Sequence, residues 1–198
     1  MKKWVAEIGP CELQPAWDRE PFESLVRAVA HQQLHGKAAE SILGRLILRF
    51  PSQPFPTSLQ LSRMQVPSFR KCGFSLAKTE AIRGIAKATN DCVVPTRSAA
   101  NGMTDEALIE TLTELRGIGK WSVEMLLIFT MGRLDIMPVD DFGIRAGLKH
   151  LFELPDMPKK ADFAQWTDSW KPYRSVGAWY LWRLADARKI LLLNPNCS

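Results

Sequence analysis

Residues 115–145 read LRGIGKWSVEMLLIFTMGRLDIMPVDDFGIR. Gly117 and Gly119 bracket Ile118 between the end of one apolar-periodic run and the start of the next. Two adjacent acids, Asp140 and Asp141, stand just ahead of a third run. Glycine permits positive φ and close approach of another backbone. The helix that follows opens with N–H groups that have no intrahelical acceptor. Together these features make an anion site suited to a phosphate, with Lys120 beside it and Ile118 anchoring the turn into the core. The plain reading of the same residues is a helix–helix turn, and one of the two aspartates must N-cap the helix beginning FGIRAGL. An acid there stays ionised, because the dipole at a helix start favours a carboxylate.

Outward from this stretch the periodicity is helical almost everywhere. PFESLVRAVAHQQ puts Phe22, Leu25, Val26 and Val29 on one stripe, and KAAESILGRLILRF does the same with Ala38, Ile42, Leu46 and Ile47. Pro21 suits a first helical turn. Thr57 or Ser58 caps a short helix after the proline-rich PSQPFPTS, and Thr104 caps another whose first turn holds Asp105 and Glu106. The segment DCVVPT is the one weak strand candidate, and Pro95 argues against a central strand. The fold class is all-α, with about nine or ten helices.

Composition limits the function classes. In 198 residues, 46% are hydrophobic and 24% charged, which describes a globular protein with room for one domain or two small lobes. Lys plus Arg exceed Asp plus Glu by 26 to 21, a net +5 that favours a polyanionic partner only weakly. Cys11, Cys72, Cys92 and Cys197 lie far apart, so free thiols are expected rather than a zinc site or an iron–sulfur cluster. MKKWVAEIGP starts with lysines, but no apolar signal-peptide region follows, and no run approaches a membrane span. The chain is expected to be soluble and intracellular.

LRGIGKWS resembles the helix-hairpin-helix of DNA glycosylases, and MPVDDFGIR resembles the loop and helix start that carry that superfamily's essential aspartate. The chain is similar to the AlkA-type 3-methyladenine DNA glycosylases. The likeness takes in AVAHQQLHGKAAESIL, GFSLAKTEAIRGIA and WKPYRSVGAWYLW, so it covers most of residues 20–185. It implies a single glycosylase domain over residues 1–198, without the family's N-terminal β-rich region. One helical lobe would run over residues 21–135, the other over 1–20 plus 136–198, with a cleft between them for one flipped nucleotide.

The resemblance also implies roles. Asp141, twenty residues after Trp121, takes the place of the catalytic acid, with Asp140 as the alternative one position away. Trp121 and Trp182 match base-pocket aromatics, whose electron-rich faces attract a cationic methylated purine by roughly 0.5–2 kcal/mol. Met125 stands where the AlkA type often has a tyrosine. Gln33 matches the side chain that fills the gap left by an extruded base, and His35 would touch the minor groove. Polar capping of the helix near Gly36 is the competing reading for Gln32 and His35.

Gly117, Ile118, Gly119 and Lys120 would grip the DNA backbone. Lys78 and Ser75, and likewise Lys171 and Arg174, are read as capped or solvated surface rather than as site residues. Bifunctional relatives carry a lysine where this chain has Trp121, so the likeness implies a monofunctional enzyme. Such an enzyme would release 3-methyladenine and 7-methylguanine from double-stranded DNA as a monomer in the nucleoid-containing cytoplasm or the nucleus. No organic cofactor or catalytic metal is implied, though hairpin carbonyls would hold a monovalent cation. Two other classes compete: a non-catalytic helix-hairpin-helix DNA-binding module, and an α-helical interaction protein.

Overall fold

The computed structural model describes residues 2–34 and 36–193, with side chains through residue 187. Every regular element among the described residues is a helix, and none is a strand. In chain order the helices are α1 (Lys2–Ile8), α2 (Pro21–His31), α3 (Gly36–Ile47), α4 (Ser58–Arg63), α5 (Val66–Cys72) and α6 (Leu76–Asn90). There follow α7 (Arg97–Asn101), α8 (Asp105–Thr113), α9 (Lys120–Phe129), α10 (Phe142–Leu151), α11 (Phe163–Thr167) and α12 (Arg174–Leu193). The twelve α-helices among the described residues, with two short 3-10 turns at Lys160–Asp162 and Asp168–Trp170, exceed the nine or ten read from periodicity. Helices such as α5, α7 and α11 are five to seven residues long, too short to display two turns of apolar spacing.

The chain divides into two compact units, Ala16–Leu126 and Met1–Pro15 with Leu127–Ser198. In the first, α6 packs against α2 and α4, and α3 against α2 and α5. Leu25, Val26, Val29, Leu43, Leu46, Ile82, Ile85 and Leu112 are buried there. The buried face of α3 is Ala39, Leu43 and Leu46; Leu46 is on the stripe read from the sequence, but the first two positions of that stripe shift by one residue, Ala38 being exposed and Ile42, like Ile47, half-buried.

Side-chain caps set the helix starts. Thr57, Ser75, Thr96 and Thr104 accept from the backbone N–H groups of Gln60, Lys78, Ala99 and Ala107, each worth about 1 kcal/mol. Gly73 ends α5 at φ 104, a conformation in which a Cβ would also strike the Arg45 guanidinium.

In the second unit α10 lies along α12, and α1 rests on α12 as well. Its core joins Met137, Ile144, Leu148, Phe163, Ala178, Leu181 and Leu184, with Trp4 and Ile8 of α1 packed against it. The two main helices meet backbone to backbone at Gly147, where a Cβ would fall 2.1 Å from the Leu181 carbonyl oxygen. Tyr180 donates its hydroxyl to the Gly9 carbonyl at 2.9 Å, tying the segment after α1 to α12. At the start of α12, Arg174 grips Asp135 through Nε to Oδ1 at 2.7 Å and Nη2 to Oδ2 at 3.0 Å. No described helix is long and apolar enough to cross a membrane.

Candidate active site

Asp141 ends the loop MPVDD with an extended backbone, φ −70 and ψ 127, and N-caps α10. Its Oδ1 accepts from the Ile144 N–H at 2.9 Å and from the Trp182 indole Nε1–H, also at 2.9 Å. Two donors from two helices thus fix the orientation of one half-buried carboxylate. Asp140 is exposed and ion-paired with Lys160. Adjacent aspartates therefore have different surroundings: one caps a helix against an aromatic wall, the other pairs with a surface lysine.

Trp182 is held on a second side by Phe129, whose ring lies 5.5 Å away at a 30° tilt. Gly143 gives the indole its room. A Cβ there would meet Trp182 Cδ1 at 2.9 Å and Asp141 Oδ1 at 3.1 Å. Phe129 and Gly143 escaped sequence reasoning. Phe129 looks like one more core residue of an apolar helix, and Gly143 lies inside a helical run, where no turn calls for glycine. An apolar residue left 37% exposed at the end of α9 is the signal in Phe129, visible only once the helix is built.

The remaining candidates lie in the unit Ala16–Leu126. Gly117 adopts φ 85, and a Cβ there would come 3.0 Å from that of Ala81, so the turn needs glycine on both counts. Ile118 is 5% exposed, the anchor its residue type predicts. Its N–H closes the turn onto the Leu115 carbonyl at 3.0 Å, which leaves the outward donors to Gly119 and Lys120 at the head of α9. Lys120 reaches one turn along to Glu124, 3.8 Å away and almost fully buried.

Trp121 is 43% exposed and Met125, one turn on, is half-buried, so both lie on one stripe of α9. The Leu115, Gly117 and Gly119 carbonyls already accept from Ile118 N–H, Gln32 Nε2–H and the Ser122 and Val123 amides.

Gln33 lies on an exposed turn directly after α2. The turn closes through Leu34 N–H to the His31 carbonyl at 3.2 Å, with Gln32 at φ −54, ψ 129 and Gln33 at φ 56. These are the angles of a type II turn, whose third position normally takes glycine. Holding glutamine there costs about 1–2 kcal/mol. Strain of this kind persists where neighbours over-determine it, and it gathers at working sites.

His35 lies outside the described residues. The turn is held by Lys78, which the sequence leaves as a solvated surface residue; its Nζ donates to the Ala30 and Gln32 carbonyls at 2.8 and 2.7 Å. Lys171 and Arg174 are engaged within the protein, with Asp168 and Asp135 respectively.

The sequence model described as HhH-GPD superfamily base excision DNA repair protein matches residues 26–172. DNA-3-methyladenine glycosylase 1 of Schizosaccharomyces pombe is 44% identical over 174 residues, 86% of this chain and 76% of that protein. The alkylbase DNA glycosidase-like protein mag2 of the same yeast is 36% identical over 186 residues, covering 92% and 87%. The solved structure of the S. pombe 3-methyladenine DNA glycosylase in complex with abasic DNA superposes with a TM-score of 0.84 at 41% identity, over 92% of this chain and 89% of that one. With most of the chain matched by sequence and by fold, it belongs to the HhH-GPD superfamily of base excision DNA repair proteins.

Proposed function

We propose that this chain is a monofunctional DNA-3-methyladenine glycosylase, which takes an alkylated purine out of double-stranded DNA and hydrolyses its N-glycosidic bond to leave an abasic site. Membership of the superfamily and the activity named for its yeast relative support the reaction class. The observation that carries the reading is the clamped carboxylate of Asp141 against Trp182, beside an Asp140 that is spent on Lys160.

Methylation at N3 or N7 leaves the purine positively charged. When the bond from C1′ to the base breaks, its electron pair returns to the base, which departs neutral, and positive charge moves to the sugar. A carboxylate already oriented by two N–H donors stabilises that cation without reorganising. Water then adds its oxygen to C1′ and gives up a proton. In this reading Trp182 is the aromatic face beside the carboxylate that meets the cationic base, and Trp121 and Met125 are further base contacts. The hairpin amides hold a phosphate, and Gln33 fills the vacated stack.

Trp121 carries no amine, so the Schiff base needed for strand cleavage is not expected at that position. The test is incubation with N-methylated duplex DNA. Free 3-methyladenine and an abasic site in an intact strand are expected. Tight binding with no released base would instead identify a module that only grips DNA.

A further inference from the structure

Lys78 and Gln32 have no part in the chemistry described above, yet their hydrogen bonds converge on one turn. Lys78 lies in the first turn of α6, its own N–H donating to the Ser75 cap. Its ammonium crosses to the end of α2, where it bonds the carbonyls of Ala30 and Gln32 and sits at the negative end of that helix's dipole. Burial pulls the Lys78 amine below its ordinary value, a mark of how far it has left water. The Gln32 side chain then spans 85 residues of sequence to donate to the Gly117 carbonyl of the hairpin. Gln33, with its left-handed backbone, directly follows the carbonyl that Lys78 holds.

We propose that Lys78 and Gln32 are positioning residues for base extrusion, Lys78 locking the turn that presents Gln33 and Gln32 tying that turn to the hairpin. This rests on the reading of Gln33 as the side chain that enters the base stack. Extrusion needs one element to hold the strand while another presses into the stack. A turn residue at positive φ that was free to relax would swing away under load. Bonded on one side to α6 and on the other to the hairpin, the wedge and the strand grip move as one body.

The test uses single-turnover release of 7-methylguanine by the full chain, from duplexes that pair it with cytosine or mispair it with thymine. Lys78→Met keeps the aliphatic stem and removes the donors. It should slow release opposite cytosine by about tenfold and opposite thymine by less than about threefold, because only the stable pair needs forcing open. Gln32→Ala should show the same contrast, and Lys78→Arg should recover most of the rate.

Combining Lys78→Met with Gln33→Ala should cost no more than Gln33→Ala alone, since both act through one side chain. Equal losses in the two contexts, or additive losses in the double variant, would overturn the proposal. If Gln33→Ala itself shows no dependence on the opposing base, the wedge reading fails instead. Should Lys78→Met not fold by circular dichroism, Gln32→Ala at its half-exposed position decides the matter.

Discussion

Asp140 and Asp141 have the same side chain one residue apart, so any difference between them comes from what surrounds each. Asp141→Asn keeps size and capping ability but removes the charge. It should fold and bind DNA nearly as before while releasing base at least about 10²-fold more slowly, the usual loss for one electrostatic transition-state contact. Asp140→Asn, which breaks only an exposed pair with Lys160, should change the rate little. Free-base release from both variants checks the assignment; the opposite pattern would shift the register by one.

Gly143 offers a finer probe of the same carboxylate. Its Cβ would land on Trp182 and Asp141 at once, so Gly143→Ala should push the indole off Oδ1. A loss of about tenfold in kcat with KM little changed is expected, because the interaction lost is one made to the transition state.

The hairpin illustrates what an element adds to its residues. Gly119 stands at an open position where a Cβ meets nothing within 4 Å, so a side chain there alters the outer surface rather than the fold. Gly119→Asp should therefore leave the melting temperature near normal. It should weaken binding to damaged and undamaged duplexes alike by about tenfold or more, because a carboxylate displaces a phosphate. Fluorescence anisotropy with both duplexes measures this.

Much at the element scale was legible in the sequence. Thr104 announced its helix start by residue type and position; the cap at Thr57 was legible as Thr57 or Ser58, that at Asp141 as one of two adjacent acids, and the left-handed turn at Gly117 as one of the two hairpin glycines. The one-residue slip in α3 has a plain cause, since Ala38 and Ala39, like Ile42 and Leu43, are adjacent apolar residues that fit either stripe. Lys78 could not be read at all. A lysine in a first helical turn looks like surface until the carbonyls it reaches, 46 and 48 residues back, are brought to it.

Across the whole molecule, long-range pairs that local patterns cannot specify hold the chain together. The Arg174 guanidinium, hydrogen-bonded to Asp135, holds that carboxyl below the usual carboxylate range. A group whose folded value is depressed stabilises above its unfolded value, near 4, and loses that contribution as pH falls through the folded one. Thermal melts taken from neutral pH into acid should therefore fall less steeply for Asp135→Asn than for the parent. Gly147→Ala should be far more damaging, about 3 kcal/mol or more by denaturant titration, because the added methyl meets a backbone carbonyl that no rotamer change can move aside.

The hydrogen bond from Tyr180 to Gly9 joins residues 171 apart in sequence, and all of Ala16–Leu126 lies between them. On the ribosome, the intervening segment emerges whole and can bury Leu25, Ile82 and Leu112 while α12 is still being made. Trp4 and Ile8, synthesised ahead of that segment, must wait until it has been made for the helices they pack against. Residues made before the segment thus reach their place only after it, and during that interval their apolar side chains are what a chaperone would encounter.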